Sequence, residues 1–216
     1  MKIKAVIFDL DGVIVSTDEC HYKGWKKVAD EEGIYFDKKI NDRLRGVSRM
    51  ESLEIVLERA ERVYSQEEKQ VLAERKNNYY KEYIQELTPK DILPGVMRNL
   101  EDLKHASIKI AIGSSSKNTP IILQRVGLSG YFDAVSDGNN IVNSKPAPDV
   151  FIKAAEMLSI EEKYCMIVED ADAGIIAGKN AGMYTVAVNG AMGADFSFES
   201  LEKNRIMSVV RLLEKK

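Results

Sequence analysis

Residues 5–15 read AVIFDLDGVIV, and at their centre stands Phe8-Asp9-Leu10-Asp11-Gly12. A continuous apolar, β-branched run is the pattern of a strand covered on both faces. Two aspartates at its end, two residues apart, leave the strand on a common side. Burying like charges together is costly unless something positive sits between them. The stretch therefore predicts a central strand that delivers two carboxylates to one edge of a sheet.

Working outward, four further apolar runs follow, at Ile108–Ile112, Phe132–Val135, Tyr164–Val168 and Tyr184–Val188, with the first strand at Ile3–Phe8. None alternates with polar residues. Helical patterns separate them: Val96, Leu100 and Leu103 mark one, and Phe151, Ala154, Ala155 and Leu158 mark another behind Pro148. A third, Ala171–Ala181, carries Gly174 and Gly178, with Gly182 just beyond it; such small residues let a helix lie close on a sheet. Strand and helix in alternation predict an α/β fold, a Rossmann-like, doubly wound parallel sheet. Residues from about Ser16 to Pro89 show no strand pattern. Trp25, Val28 and Ala29 suit a helix ended by Gly33, and two capping boxes, at Ser48-Arg49-Met50-Glu51 and Ser65-Gln66-Glu67-Glu68, open two more. The second of these is expected to run to Thr88-Pro89. The predicted organisation is an α/β core of residues 1–15 and 90–216 interrupted by an α-helical insert of residues 16–89.

The 216-residue chain suits one large domain or a domain with an insert. A net charge of −3 gives no electrostatic footprint for nucleic acid or an anionic membrane. No apolar stretch approaches a membrane span, and Asp9 interrupts the first run before a signal-peptide core forms. Cys20 and Cys165 have no metal-binding spacing, so free thiols in a reducing cytoplasm are expected.

In an open α/β sheet, ligands gather beyond the carboxyl ends of the strands. Asp9 and Asp11 leave the first strand there. The second runs into Gly113-Ser114-Ser115-Ser116-Lys117-Asn118, a hydroxyl-rich turn opening a helix, where an anion can bind. Lys145-Pro146 follows the third strand, and Glu169-Asp170 ends the fourth. Each piece has a plain explanation alone: Asp-x-Asp as a surface turn, the serines as a helix cap, Lys145 as a solvated side chain, Glu169-Asp170 as acids at a helix start. Four strand ends that supply complementary parts of one phosphate site are harder to explain plainly. The oxygen donors select magnesium, which offsets the carboxylate repulsion.

FDLDG, a serine after the second strand, a later lysine and the closing Glu169-Asp170 resemble the haloacid dehalogenase (HAD) superfamily of phosphotransferases, and the helical insert resembles that superfamily's cap domain. The segments HYKGW (21–25), RGVSRMES (45–52), AERKNNYY (73–80), SSSKN (114–118), SKPAPDVF (144–151) and EDADAGI (169–175) extend the resemblance, to hexose-phosphate mutases, over nearly the whole chain. Only the stretch from about Asn189 is loosely matched. The resemblance implies Asp9 as nucleophile and Asp11 as general acid and base. It implies Mg2+ on Asp9, the backbone of Asp11, Glu169 and Asp170, with Ser114 and Lys145 on the transferring phosphoryl group. Arg49, Ser116, Lys117 and Asn118 would grip a second phosphate. Gly46, Val47, Arg45, Ser52 and Lys76 would line the sugar, His21 would position Asp11 or a substrate oxygen, and Thr17 would report on the insert. By pattern alone Lys76 belongs to a solvated helix face, and Trp25, Tyr79, Tyr80 and Tyr83 to packing. Arg45 replaces the usual lysine, Ser16 an acid, and Gly113 and Ser115 the usual alanines. The implied partners are small sugar phosphates, with no nucleic acid or membrane, and the implied form is a cytoplasmic monomer. A sugar-phosphate phosphatase is the alternative. A dehalogenase would not need Asp11 or the acid pair, and a non-catalytic binder would lack an essential residue.

Overall fold

The computed structural model describes residues 2–44 and 47–215. In chain order the helices are α1 (Asp18–Glu31), α2 (Lys38–Asp42), α3 (Arg49–Leu57), α4 (Gln66–Ile84), α5 (Val96–His105), α6 (Thr119–Arg125), α7 (Asp149–Leu158), α8 (Asp172–Asn180) and α9 (Ile206–Glu214). The strands are β1 (Ala5–Phe8), β2 (Lys109–Gly113), β3 (Ala134–Ser136), β4 (Cys165–Glu169), β5 (Tyr184–Ala187) and β6 (Phe196–Ser197). The chain forms two compact units, Met1–Ser16 with Thr88–Lys216, and Thr17–Leu87.

The first unit is an α/β fold around one parallel sheet of order β3-β2-β1-β4-β5-β6. β1 is central, with Phe8 level with Ile112 on one side and Val168 on the other. The connections run outward to β3 and then return across β1 to β4, so the strand order reverses beside β1. That switch point is where a doubly wound sheet opens its binding crevice. β1 is buried along its whole length, as its unbroken apolar run requires. Val150, Phe151, Ala154 and Ala155 of α7 and Ile175 and Ala177 of α8 pack over Ala5, Ile7, Ala111 and Ile167. A side chain at Gly178 would run into Ile167 and Thr185, so this glycine sets how closely α8 lies on the sheet. Gly113 serves the same end, because a Cβ there would meet the Phe151 ring at 2.7 Å. That explains a glycine where the resemblance suggests alanine.

The second unit contains α1–α4 and, among its described residues, no strand. Trp25, Val28, Ala29, Leu53, Val56, Leu72 and Ala73 form its core. Both capping boxes form: Ser48 accepts from Glu51 N, Ser65 accepts from Glu68 N, and each glutamate returns to its cap's amide. Arg75 bridges Glu31 and Glu32 at 3.3 and 2.9 Å and Tyr79 donates to Glu31 at 2.6 Å, which ties α4 to the end of α1.

Several expectations need correction. α4 stops at Ile84 instead of reaching Thr88-Pro89, because Thr88 and Asp91 cap a separate 3-10 turn at Pro89–Asp91. The third strand lies one to two residues later than its apolar run, and the fourth includes Glu169, so this acid is the strand's last residue. α2, started by Asp37 accepting from Ile40 N, α9 and the two-residue β6 were not foreseen.

Candidate active site

The carboxyl ends of β1, β2, β3 and β4 place the following groups together. Asp9 directly follows β1, held by its backbone N–H on Val168 O at 2.9 Å. Glu169 closes β4, and Asp170 follows. The Lys145 ammonium, on the loop after β3, donates to Asp9 Oδ1 and, at 2.9 Å, to Glu169 Oε2. All three side chains of this bridge are nearly inaccessible to solvent. Lys145 is therefore a buried cation and not a solvated one. The Lys145–Pro146 peptide is cis.

Backbone room for the acids comes from glycine. A side chain at Gly12, which adopts a φ of 78°, would overlap the Asp170 carboxylate, and one at Gly174 would overlap Glu169. Any other residue at Gly12 would also have to enter the left-handed region.

The electrostatics point one way. Burial raises the Asp9 carboxyl above its usual range, and Lys145 only partly offsets it. Burial, then the neighbouring Asp9, pushes Glu169 up to about 8. Burial alone would lower the Lys145 ammonium, but Asp9 and Glu169 outweigh it and hold it raised. Asp9, Glu169 and Asp170 offer oxygens that all lie within 4.8 Å of one another. Fully ionised, three carboxylates against one ammonium carry a formal charge of −2, which burial resists by raising Asp9 and Glu169. Oxygen-only donors and a deficit of two positive charges fit a hard divalent cation.

Beyond β2, the turn is built from its own hydroxyls. Buried Ser114 donates its backbone N–H to Ser136 O at 3.1 Å, and its Oγ accepts from Ser116 N at 3.1 Å. Ser116 Oγ accepts from Asn118 N at 3.2 Å. The loop after β3 buttresses this turn: Gly138 N donates to Ser116 O at 3.3 Å, and Asn139 Nδ2 to Lys117 O at 3.0 Å. Asn140 Oδ1 fixes that loop by accepting from Ser136 Oγ and Asp137 N. Sequence reasoning passed over Asp137–Asn140, although the Asp-Gly-Asn-Asn string is a turn signal directly after a strand.

The second unit holds its own polar group. Arg49, at the first turn of α3, donates to Asn77 Oδ1 at 2.9 Å and lies 4.0 Å from Glu74; burial lowers its guanidinium from the usual range. Lys76 Nζ lies 2.8 Å from His21 Nδ1, with its ammonium 5.1 Å from the Trp25 ring and 4.7 Å from the Tyr80 ring. Lys76 is buried, which overturns the solvated-face reading, while Trp25 and Tyr80 are packing residues as expected. An ammonium only donates, so Nδ1 accepts and His21 carries its proton on Nε2. Desolvation first, and then the charges of Lys76 and Arg49, lower His21 well below the ordinary histidine range. The His21 and Tyr80 rings lie 4.2 Å apart, and Tyr80 donates to Thr17 Oγ1 at 3.3 Å. Ser52 is buried and Val47 exposed. Arg45 and Gly46 lie outside the described residues. Asn77, the partner of Arg49, was missed although it stands in the segment AERKNNYY.

A family model of haloacid dehalogenase-like hydrolases matches residues 6–188. The chain is 48% identical over 198 residues to a β-phosphoglucomutase of Bacillus subtilis, covering 89% of this chain and 88% of that protein. It is 31% identical to a phosphorylated carbohydrates phosphatase of Thermotoga maritima, covering 84% and 82%. A solved β-phosphoglucomutase structure from Clostridium difficile superimposes with a TM-score of 0.89 at 39% identity, covering 99% of this chain and 100% of that one.

Proposed function

The chain belongs to the haloacid dehalogenase-like hydrolase family, and from that membership we propose that it is a hexose-phosphate mutase. It interconverts β-D-glucose 1-phosphate and D-glucose 6-phosphate through an aspartyl-phosphate enzyme and a β-glucose 1,6-bisphosphate intermediate. The observation that carries this reading is the extent of the likeness to the Bacillus subtilis mutase, which spans both units. The buried Asp9–Lys145–Glu169 bridge beside Asp170 supports it chemically.

Asp9 attacks phosphorus through a carboxylate oxygen, forming an acyl phosphate while the phosphorus–oxygen bond to the sugar breaks. Asp11 gives its proton to the departing sugar oxygen. In the return step Asp11 takes the proton of the other hydroxyl as that oxygen attacks the phosphoryl group. Lys145, already a raised and buried ammonium, neutralises a phosphoryl oxygen once Asp9 is engaged, and Ser114 orients a second oxygen. Asp9, Glu169, Asp170 and the Asp11 carbonyl are the groups that would hold Mg2+, whose chemistry is to neutralise charge on the transferring phosphoryl group. Arg49 with Ser116, Lys117 and Asn118 is assigned to the phosphate that is not reacting, and Val47, Ser52, Lys76 and His21 to the sugar side. A small sugar phosphate is the substrate, and neither nucleic acid nor membrane has a part; among the described residues no helix is long and apolar enough to cross one. We assign the enzyme to the cytoplasm as a monomer.

The test is incubation with β-glucose 1-phosphate, a trace of the 1,6-bisphosphate and magnesium, with separate assays for glucose 6-phosphate and free phosphate. Glucose 6-phosphate in large excess over phosphate is expected. Stoichiometric phosphate release would favour the phosphatase reading, which the Thermotoga maritima relative keeps in view.

A further inference from the structure

We propose that Asn189, just beyond β5 in the loosely matched part of the chain, is a positioning residue for Asp11. The inference rests on the reading of Asp11 as general acid and base given above. Val188 extends the sheet one step past β5 by donating its N–H to Glu169 O at 2.9 Å. The next residue turns sharply: Asn189 has a φ of 55°, in the left-handed region that few non-glycine residues enter. Asn189 is exposed, so no core packing compensates that conformation. What the turn achieves is to aim the side chain, whose Nδ2 donates to Gly12 O at 2.8 Å.

Gly12 is the weak point of the loop that carries Asp11. It must be glycine because Asp170 occupies the space a Cβ would need, and glycine leaves its two flanking peptides free to rotate. Both peptides are instead tied. On the Asp11 side, Gly12 N–H donates to Val15 O at 2.7 Å; on the Val13 side, the Gly12 carbonyl accepts from Asn189. The Asp11 side chain starts one bond from this clamped unit. The anchor is itself fixed, since Met192 N donates to Asp172 Oδ1 at 2.8 Å, and Asp195 Oδ2 accepts from Thr185 N and Oγ1 at 2.8 and 2.9 Å.

Two variants separate this role from turn-making. Asn189→Gly keeps the left-handed turn and deletes the donor. Asn189→Asp keeps size and turn preference but places an acceptor against the Gly12 carbonyl. Each is compared with wild type in single turnover, with enzyme in excess, on two phosphoryl donors. With β-glucose 1,6-bisphosphate, the departing alkoxide needs the proton of Asp11. With acetyl phosphate, acetate leaves without one. In both, Asp9 gains the phosphoryl group and the leaving oxygen takes the bond's electron pair. Asn189→Gly should slow the sugar reaction about three- to tenfold, the scale of one hydrogen bond, and the acetyl phosphate reaction less than about twofold. Asn189→Asp should slow the sugar reaction at least as much. The thermal midpoint of Asn189→Gly should stay within about 2 °C, as for an exposed residue. An unchanged sugar rate, or equal losses on both donors, overturns the proposal. Asp11→Asn is run alongside and should show the same split more deeply. If it shows no split, the assignment of Asp11 fails and this inference with it. If it splits and Asn189→Gly does not, only the inference fails.

Discussion

At Asp9, burial opposes ionisation, while the Lys145 ammonium and the backbone N–H groups of Leu10 and Asp11 support it. Asp9, the proposed nucleophile, is therefore held by charge and hydrogen bonds and is replaceable without loss of packing. Asp9→Asn keeps the side chain's shape, leaves Lys145 its bond to Glu169, and removes one of the crowded negative charges. Phosphoryl transfer should fall at least about a thousandfold, because a carboxamide is not a nucleophile, while the thermal midpoint holds or rises. Appreciable turnover by a preparation free of wild-type enzyme would argue against the covalent route. His21 supplies a pH signature. Its folded value lies well below the unfolded one, so below about pH 6.5 the unfolded chain binds a proton that the folded chain refuses. The stabilisation is therefore complete above that pH and is lost as pH falls towards the folded value. Glu169, raised to about 8, and the raised Asp9 give both proteins an opposite slope over this range, so the signature is a difference. Between pH 7.5 and 5.5 wild type should lose about 2–4 °C of thermal midpoint relative to His21→Gln; an identical slope in both proteins would refute the assignment. Neither Lys145 nor Lys76 declared its burial in the sequence. Lysine is ordinarily solvated, and only tertiary contacts (with Asp9 and Glu169 for one, His21 and two aromatic rings for the other) show where each ammonium resides.

Among the elements, those whose signal is local were legible. Both capping boxes, the five longer parallel strands and the acid-bearing end of β1 follow from spacing and apolar runs within a few residues. β6, two residues long, carries no periodicity and exists because Val186 and Ala187 offer it an edge. α2 is one short helix on a single Asp37 cap, below the length at which a pattern can be counted. The buttress behind the Ser114–Asn118 turn was hidden for a related reason: Gly138 and Asn139 read only as a turn, and their partners Ser116 and Lys117 lie 22 residues away. That buttress can be tested at Gly138. A Cβ there would overlap the Ser115 carbonyl and sit 3.0 Å from Lys117 N, and backbone cannot swing aside as a side chain can. Gly138→Ala should therefore displace the turn, at a cost of about 1–3 kcal/mol. Turnover of a sugar phosphate should fall about tenfold or more, with a loss of several degrees in thermal midpoint. Wild-type kinetics and stability in this variant would show that the turn does not depend on its neighbour.

Across the whole molecule, the proposed nucleophile Asp9 belongs to one unit and Arg49 to the other, so a single side chain can test the division between mutase and hydrolase chemistry. Hydrolysis needs a grip on one phosphate; a mutase must hold a second while the first is transferred. Arg49 stands at the first turn of α3, where its charge mildly opposes the helix dipole, an arrangement stability alone would not favour. Its guanidinium is half-buried and oriented by Asn77 and Glu74, as a fork for a phosphate must be. Replacing it leaves the Ser48–Glu51 capping box untouched, so α3 should persist and the thermal midpoint should change little. Arg49→Ala should lower turnover of β-glucose 1-phosphate at least about tenfold, the scale of one charge-assisted hydrogen bond at roughly 1.5–3 kcal/mol. Arg49→Lys should recover only part of that loss, since an ammonium keeps the charge but not the two-pronged geometry. Acetyl phosphate, which carries no second phosphate, should be consumed at nearly the wild-type rate by both variants. Equal losses on the two substrates would assign Arg49 to the reacting phosphate or to the fold, and the two-phosphate mechanism would lose its main support in the helical unit.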